Sequence, residues 1–110
     1  MDLLTWTVEE TAEAAVVRFA GELDMAGFGD AEKAVRAAED RGKPLLILDF
    51  SDLTFMDSNG IHLLLLALQR AKEEPHRLAL VPGGARRLLK VAGVLTLFDL
   101  LEDPAEPSGD

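Results

Sequence analysis

Residues 44–61 read PLLILDFSDLTFMDSNGI, an apolar segment that passes through polar residues into a helical pattern. Residues 44–50 are apolar except for Asp49, and a continuous apolar run after a turn signal is typical of a central strand buried on both faces. We expect residues 51–57 to form a polar loop, followed by a helix that Pro75 ends. This succession of strand, loop and helix indicates an α/β domain.

Apolar residues recur at helical spacing both before and after this stretch. Spacings of i, i+3, i+4 and i+7 place side chains on one face of a helix, which can then pack against a sheet. The residues with this spacing are Ala31, Ala34, Val35 and Ala38 before the stretch, and Ile61, Leu64, Leu65 and Leu68 after it. We predict that these two sets are the buried stripes of the first and second helices.

The remaining segments complete the predicted order of elements. Turn signals and apolar spacing divide them into four more short strands and a third helix. The strands fall at residues 3–8, 14–20, 77–81 and 94–101, and the helix at residues 82–92. The fold class is therefore α/β, a single domain over residues 1–101 with a small mixed β-sheet and helices packed against it. We expect residues 102–110, which are acidic and contain two prolines, to be disordered.

The composition argues against metal and thiol chemistry. The chain has 110 residues, no cysteine and two histidines, His62 and His76, so we expect no disulfide, no metal site and no cofactor. Ser58 has His62 four residues later, but a hydrolase triad needs a third partner and an oxyanion hole, and no Gly-x-Ser-x-Gly sequence occurs. We predict no catalytic residues and a protein that is not an enzyme.

The charge and hydropathy of the chain limit its partners and its location. The net charge of −9, from 20 acidic and 11 basic residues, repels polyanions. The strongest basic cluster, Arg86, Arg87 and Lys90, is too small to hold a duplex, so we expect no direct contact with nucleic acid. No apolar run is long enough to cross a bilayer and no basic leader precedes one. We therefore expect no membrane insertion and a cytoplasmic location.

Ser58 stands directly after Asp57, where the second helix is predicted to begin. If Asp57 caps that helix, Ser58 lies in its first turn, where backbone N–H groups lack partners and a phosphate is tolerated. A phosphate there would add about −1.5 to −2 charge beside Asp24 and Asp57 and would disturb a docked partner. Asp-Ser-Asn-Gly is also an ordinary turn and cap sequence, so a purely structural role stays open.

The sequence resembles the STAS domain of bacterial anti-sigma factor antagonists over roughly residues 3–101. The family pattern is a hydrophobic residue followed by Asp-Ser-Ser/Thr-Gly-Leu/Ile at a helix start, with a Gly-Glu-Leu-Asp element after the second strand. Residues 56–61 (MDSNGI) and 21–24 (GELD) match these two motifs. The departures are Asn59 in place of a second hydroxyl residue, His62 where small residues are common, and the expected lack of a further C-terminal helix.

The resemblance implies a regulatory switch. Unphosphorylated members bind an anti-sigma factor with serine kinase activity and thereby free a sigma factor for transcription. The kinase inactivates the antagonist by phosphorylating the serine after the aspartate, here Ser58, and a serine phosphatase of the metal-dependent type restores it. The alternative left open is a non-switching STAS scaffold or an accessory subunit of a stress-sensing complex or a lipid transporter.

The partner is expected on the side of the second helix that faces away from the sheet and borders Ser58. A phosphate on Ser58 would disturb anything docked there. For Asp24, an equally open alternative is that it only caps the first helix. The predicted partner-binding residues are Asp24, Asp57, Asn59, His62 and Leu66.

Overall fold

The computed structural model describes residues 2–102, and within them five strands form one sheet whose spatial order equals their order along the chain. The strands are β1 (Thr5–Glu10), β2 (Ala14–Leu23), β3 (Leu45–Met56), β4 (Arg77–Val81) and β5 (Asp99–Leu100). The helices are α1 (Met25–Glu39), α2 (Ser58–Glu73) and α3 (Arg86–Val91), with 3-10 turns at Gly83–Ala85 and Leu95–Leu97. β1 pairs with β2 antiparallel and the other neighbours pair parallel. The predicted α/β fold with a small mixed sheet is confirmed.

One face of the sheet packs against α1 and α2 and carries the main core. Alternate residues of the central strands point to this face. Among them, Phe19 of β2 and Phe50 of β3 meet edge to face, with ring centroids 5.7 Å apart. The predicted stripe of α1 is confirmed, because all four of its residues are buried. Its three alanines carry no side chain beyond Cβ, so the helix can lie close to the sheet.

β3 is longer than predicted. The segment expected as a polar loop, residues 51–57, instead continues the strand as far as Met56. Its backbone pairs with the end of β2, from Ala20 to Leu23, through two register shifts. Pairing satisfies backbone N–H and C=O groups whichever side chains the strand carries, so a polar composition did not prevent the extension.

The other boundaries differ from the prediction mainly near the C-terminus. The predicted third helix is split into a 3-10 turn and the six-residue α3, and the predicted last strand is reduced to β5. Gly83 takes a positive φ of 53° and lies against the Ser51 backbone, which bends the chain before α3 can start. β1 begins and ends two residues later than predicted, and β2 continues to Leu23. Residues 103–110 of the predicted acidic tail lie outside the described residues.

α2 turns a different face to the sheet than the one predicted. Leu65, expected in the buried stripe, keeps 38% of its surface exposed, and Ile61 and Leu68 are half-buried. The start of α2 is set by Gly60, which lies against the sheet, and each further residue rotates by about 100°. This rotation brings Leu64 to the sheet and leaves Leu65 outside. The buried residues of α2 are Gly60, Leu63, Leu64 and Ala67.

An ion-pair cluster joins α1 to the C-terminal part of α2. Arg70 donates from Nε to both carboxylate oxygens of Glu39 at 2.9 Å and from Nη2 to Glu32 Oε1 at 2.9 Å. Burial lowers the pKa of the Arg70 guanidinium, but the hydrogen bonds and charges of Glu32 and Glu39 outweigh burial and hold that pKa above its usual value. Arg70 therefore stays charged and bridges the two helices.

Candidate functional site

β2 and β3 are each followed by an aspartate at the same edge of the sheet. Leu23, the last residue of β2, is in register with Met56, the last residue of β3. Asp24 and Asp57 come next, and each is the N-cap of the helix that follows. The starts of α1 and α2 therefore lie at the carboxyl edge of parallel strands, where α/β domains commonly bind ligands.

Asp57 fixes the first turn of α2. Its Oδ1 accepts hydrogen bonds from the backbone N–H of Asn59 at 2.8 Å and from the Asn59 side-chain amide at 3.1 Å. The backbone N–H of Asp57 donates to the Leu23 carbonyl at 3.3 Å and ties the helix start to β2. Ser58 is the first residue of α2 and is exposed. The predicted cap and the first-turn position of Ser58 are both found.

Gly60 lets α2 begin directly against the sheet. A Cβ at this position would overlap Met56 Cγ and Sδ and would lie 3.2 Å from Leu23 Cδ2. A larger residue would push the first turn of α2, with Ser58, away from the ends of β2 and β3. The glycine of the MDSNGI sequence is therefore explained by the close packing of α2 on β2 and β3.

Asp24 has a structural role at the start of α1. Its Oδ1 accepts a hydrogen bond from the backbone N–H of Gly27 at 3.2 Å, and the side chain is half-buried. Of the two expected possibilities for Asp24, the cap is found, and the contact with a partner stays a prediction.

Asp24→Ala is expected to lower the free energy of unfolding by about 1 kcal/mol, because the first turn of α1 loses its capping acceptor. Asp24→Asn keeps an oxygen at the cap and is expected to change stability by less than about 0.5 kcal/mol. Urea denaturation of the three proteins measures both values. Equal destabilisation by the two variants would show that the negative charge, and not the cap, is what stabilises this position.

His62 and Leu66 lie on the side of α2 that faces α1. The His62 ring stacks on Phe28 of α1, with centroids 5.1 Å apart and planes inclined by 12°. Leu66 follows one turn later, and Arg70, which binds α1, one turn after that. Leu66 is half-buried, so its predicted place on the solvent side is wrong, whereas His62 remains exposed. Leu66 lies between His62 and Arg70 along the helix, and both of these residues contact α1.

The sequence analysis did not predict three exposed apolar side chains on the elements that begin or end at this edge of the sheet. Met25, the first residue of α1, is 80% exposed, Phe55 near the end of β3 is 51% exposed, and Leu65 is 38% exposed. We call these three residues the apolar rim. Leu65 lies seven residues after Ser58, so two helical turns bring it to the same side of α2, a spacing visible in the sequence. The pairing of β2 with β3 brings the positions of Met25 and Phe55 to the edge of the sheet where α2 begins.

Acidic groups surround the start of α1. A cleft there carries four carboxylates, and together with Asp57 they give this edge of the sheet a negative charge. Charge complementarity favours a partner with a basic docking surface. The cleft is lined by Asp2, Leu3, Leu4, Glu22, Asp24, Ala26, Gly27 and Asp30.

Within residues 2–102, none of the helices combines the length and the apolar composition needed to span a membrane. The same part of the chain holds no group of three or more carboxylate, imidazole or thiol side chains placed to bind a metal ion.

Comparison with known families gives a match over most of the chain. A family model described as "Mlab, STAS domain" matches residues 6–102. No curated protein sequence matches the chain at a significant level.

Comparison with solved structures gives matches over nearly the whole fold. An anti-sigma factor antagonist from Mycobacterium paratuberculosis is 28% identical over 94% of this chain and 89% of that chain, with a TM-score of 0.79. The Bacillus cell fate determinant SpoIIAA in its phosphorylated form is 25% identical over 88% of this chain and 91% of that chain, with a TM-score of 0.67. A structure of the anti-sigma factor antagonist SpoIIAA in its unphosphorylated form is 24% identical, covers 88% of each chain and has a TM-score of 0.73, which shows a shared fold.

Proposed function

Because the chain belongs to the STAS domain family, we propose that it is a bacterial anti-sigma factor antagonist controlled by phosphorylation of Ser58. Unphosphorylated, it binds an anti-sigma factor that is a serine kinase and thereby frees a sigma factor for transcription. Phosphorylation by that kinase ends the binding, and a metal-dependent serine phosphatase restores it. The chain acts in the cytoplasm by binding, not as an enzyme. The main support is the exposed Ser58 directly after the capping Asp57, in a chain similar to a solved anti-sigma factor antagonist.

The neighbouring hydroxyl groups support the choice of Ser58. The Ser51 hydroxyl donates to the buried Asp49 carboxylate at 2.6 Å. The Thr54 hydroxyl donates to the Gly21 carbonyl at 3.2 Å. Phosphorylation of either group would require its hydrogen bond to break, whereas Ser58 is exposed at a helix start that favours negative charge.

The surface around Ser58 fits a partner that is apolar at its centre and basic at its edge. The apolar rim supplies three large side chains of the kind that dominate binding energy when buried. The carboxylates at the start of α1 would face the basic edge. A phosphate on Ser58 would add about −1.5 to −2 charge and would have to be desolvated under the partner, which disfavours binding. The partner-binding residues that we propose beside the rim are Asp24, Asp57, Asn59 and His62, with Leu66 at the border to α1.

Incubation of the unphosphorylated chain with its cognate anti-sigma kinase and ATP is expected to place one phosphate on Ser58. The kinase is obtained by retention on the immobilised chain from extracts of the source cells, and the modified peptide is mapped by mass spectrometry. Ser58→Ala is expected to take up no phosphate, while Ser51→Ala, the matched control, is modified like the parent. Modification of Ser51 or Thr54 in the parent chain would contradict the assignment.

The matching family model describes a STAS domain and names no antagonist, which leaves one second candidate open. In this alternative the chain is a non-switching STAS scaffold or an accessory subunit of a stress-sensing complex or a lipid transporter. The same surface would then hold a permanent partner, and Ser58 would stay unmodified in the source cells. Retention of a multi-subunit assembly that contains no kinase would favour this candidate over the switch.

A further inference from the structure

His62 is held beside the first turn of α2 by a contact from the neighbouring helix. It lies four residues after Ser58, a spacing that brings side chains on a helix to within about 5–6 Å at Cβ. Its ring stacks on Phe28 of α1, with the planes inclined by only 12°. The stack fixes one face of the imidazole and leaves the ring exposed at the end of α2 that carries Ser58.

His62 is the basic side chain that α2 itself places beside Ser58. Residues 58–69 contain no lysine or arginine, so His62 is the only side chain in the first three turns of α2 that can become positive. The next cation along the helix, Arg70, is bound to Glu32 and Glu39 of α1. The carboxylates at the helix starts are Asp57, which accepts from Asn59, Asp24, which accepts from Gly27, and the other three of the cleft at the start of α1, Asp2, Glu22 and Asp30.

We propose that His62 is the charge partner of phosphorylated Ser58 and holds the phosphate against the chain's own helix. The imidazolium donates a hydrogen bond to a phosphate oxygen across one helical turn, a charge-assisted contact. The second ionisation of a phosphoserine lies near neutral pH, so a positive charge beside the phosphate shifts it within a measurable range. The inference rests on the proposed phosphorylation of Ser58 and adds a residue that positions the modification.

The test uses the full chain with phosphoserine placed at position 58 during translation, and follows the phosphate by ³¹P NMR as a function of pH. A cation favours the dianion, so the midpoint of the second ionisation is expected to lie about 0.3–0.5 pH units lower in the parent than in His62→Gln, a two- to threefold change in the ionisation constant. Phe28→Leu, which removes the stack, is expected to give an intermediate value. Lys72→Gln removes an exposed charge near the other end of α2 and is the matched control, expected to leave the midpoint unchanged.

The two histidines provide a second readout. On comparison of the phosphorylated with the unphosphorylated chain, the ring protons of His62 are expected to shift and those of His76 to stay. Equal midpoints in the parent and His62→Gln would overturn the inference. Because translation, not a kinase, supplies the phosphoserine, this result does not depend on where the kinase acts. Kinase modification of another residue would overturn the proposed function and leave the measured coupling of His62 standing.

Discussion

Ser58→Asp is expected to weaken binding of the anti-sigma kinase by at least about 2 kcal/mol, or roughly 30-fold in Kd. The substituted carboxylate carries part of the charge of a phosphate and lies at the edge of the sheet where Asp24 and Asp57 are already negative. An acidic residue in the first turn of a helix interacts favourably with the helix dipole, so the variant is expected to fold as well as the parent. Isothermal titration calorimetry measures the binding, and thermal unfolding checks the fold.

Ser58→Ala is the control for this experiment. It removes the hydroxyl without adding charge, so it is expected to bind the kinase like the parent and to remain bound when ATP is added. The parent chain is expected to be released under the same conditions. If Ser58→Asp binds with the affinity of the parent, charge at this position does not control the interface, and the non-switching alternative gains support.

Leu64→Ala is expected to lower the free energy of unfolding by about 2–5 kcal/mol, the usual cost of deleting a buried leucine side chain. Leu64 is fully buried in the main core, while its neighbour Leu65 is 38% exposed. Leu65→Ala is therefore expected to cost less than about 1 kcal/mol. Urea unfolding of the two variants measures the difference directly, and a larger loss for Leu65→Ala would mean that α2 is rotated from the orientation described.

The same Leu65→Ala variant also bears on binding. Leu65 belongs to the apolar rim, so its removal is expected to weaken the kinase complex by at least about 1 kcal/mol, a roughly fivefold increase in Kd. The adjacent residues Leu64 and Leu65 thus allow folding and partner binding to be tested separately on one helix. Leu64 is needed for folding, and Leu65 is available to a partner.

The features predicted correctly from the sequence are those decided by local chemistry. The stripe of α1 follows from the spacing of small apolar residues, and the cap at Asp57 follows from the preference of aspartate for helix starts. The extension of β3 depends on the pairing of its backbone with β2, which no pattern within β3 encodes. The rotation of α2 depends on the fit of Gly60 against Met56 and Leu23, residues from two strands.

The candidate site likewise combines features set by local sequence with features set by tertiary contacts. Ser58 and its place in the first turn of α2 could be predicted, because both depend on a few consecutive residues. The stack of His62 on Phe28 joins residues 34 positions apart, and Leu66, one turn after His62 on α2, is half-buried. Met25 follows the end of β2 and Phe55 lies near the end of β3, and the pairing of these two parallel strands puts both positions at one edge of the sheet. These features require the tertiary arrangement.

The bridge between Arg70 and the two glutamates has a mechanical consequence. It fastens α1 to α2 near their C-terminal ends, while the stack of His62 on Phe28 fastens them near their starts. Because contacts near both ends join the two helices, a phosphate at the start of α2 is not expected to change the angle between α1 and α2. Phosphorylation of Ser58 is then expected to change the shape and charge of the surrounding surface, while the rest of the domain keeps its conformation and holds that surface in place.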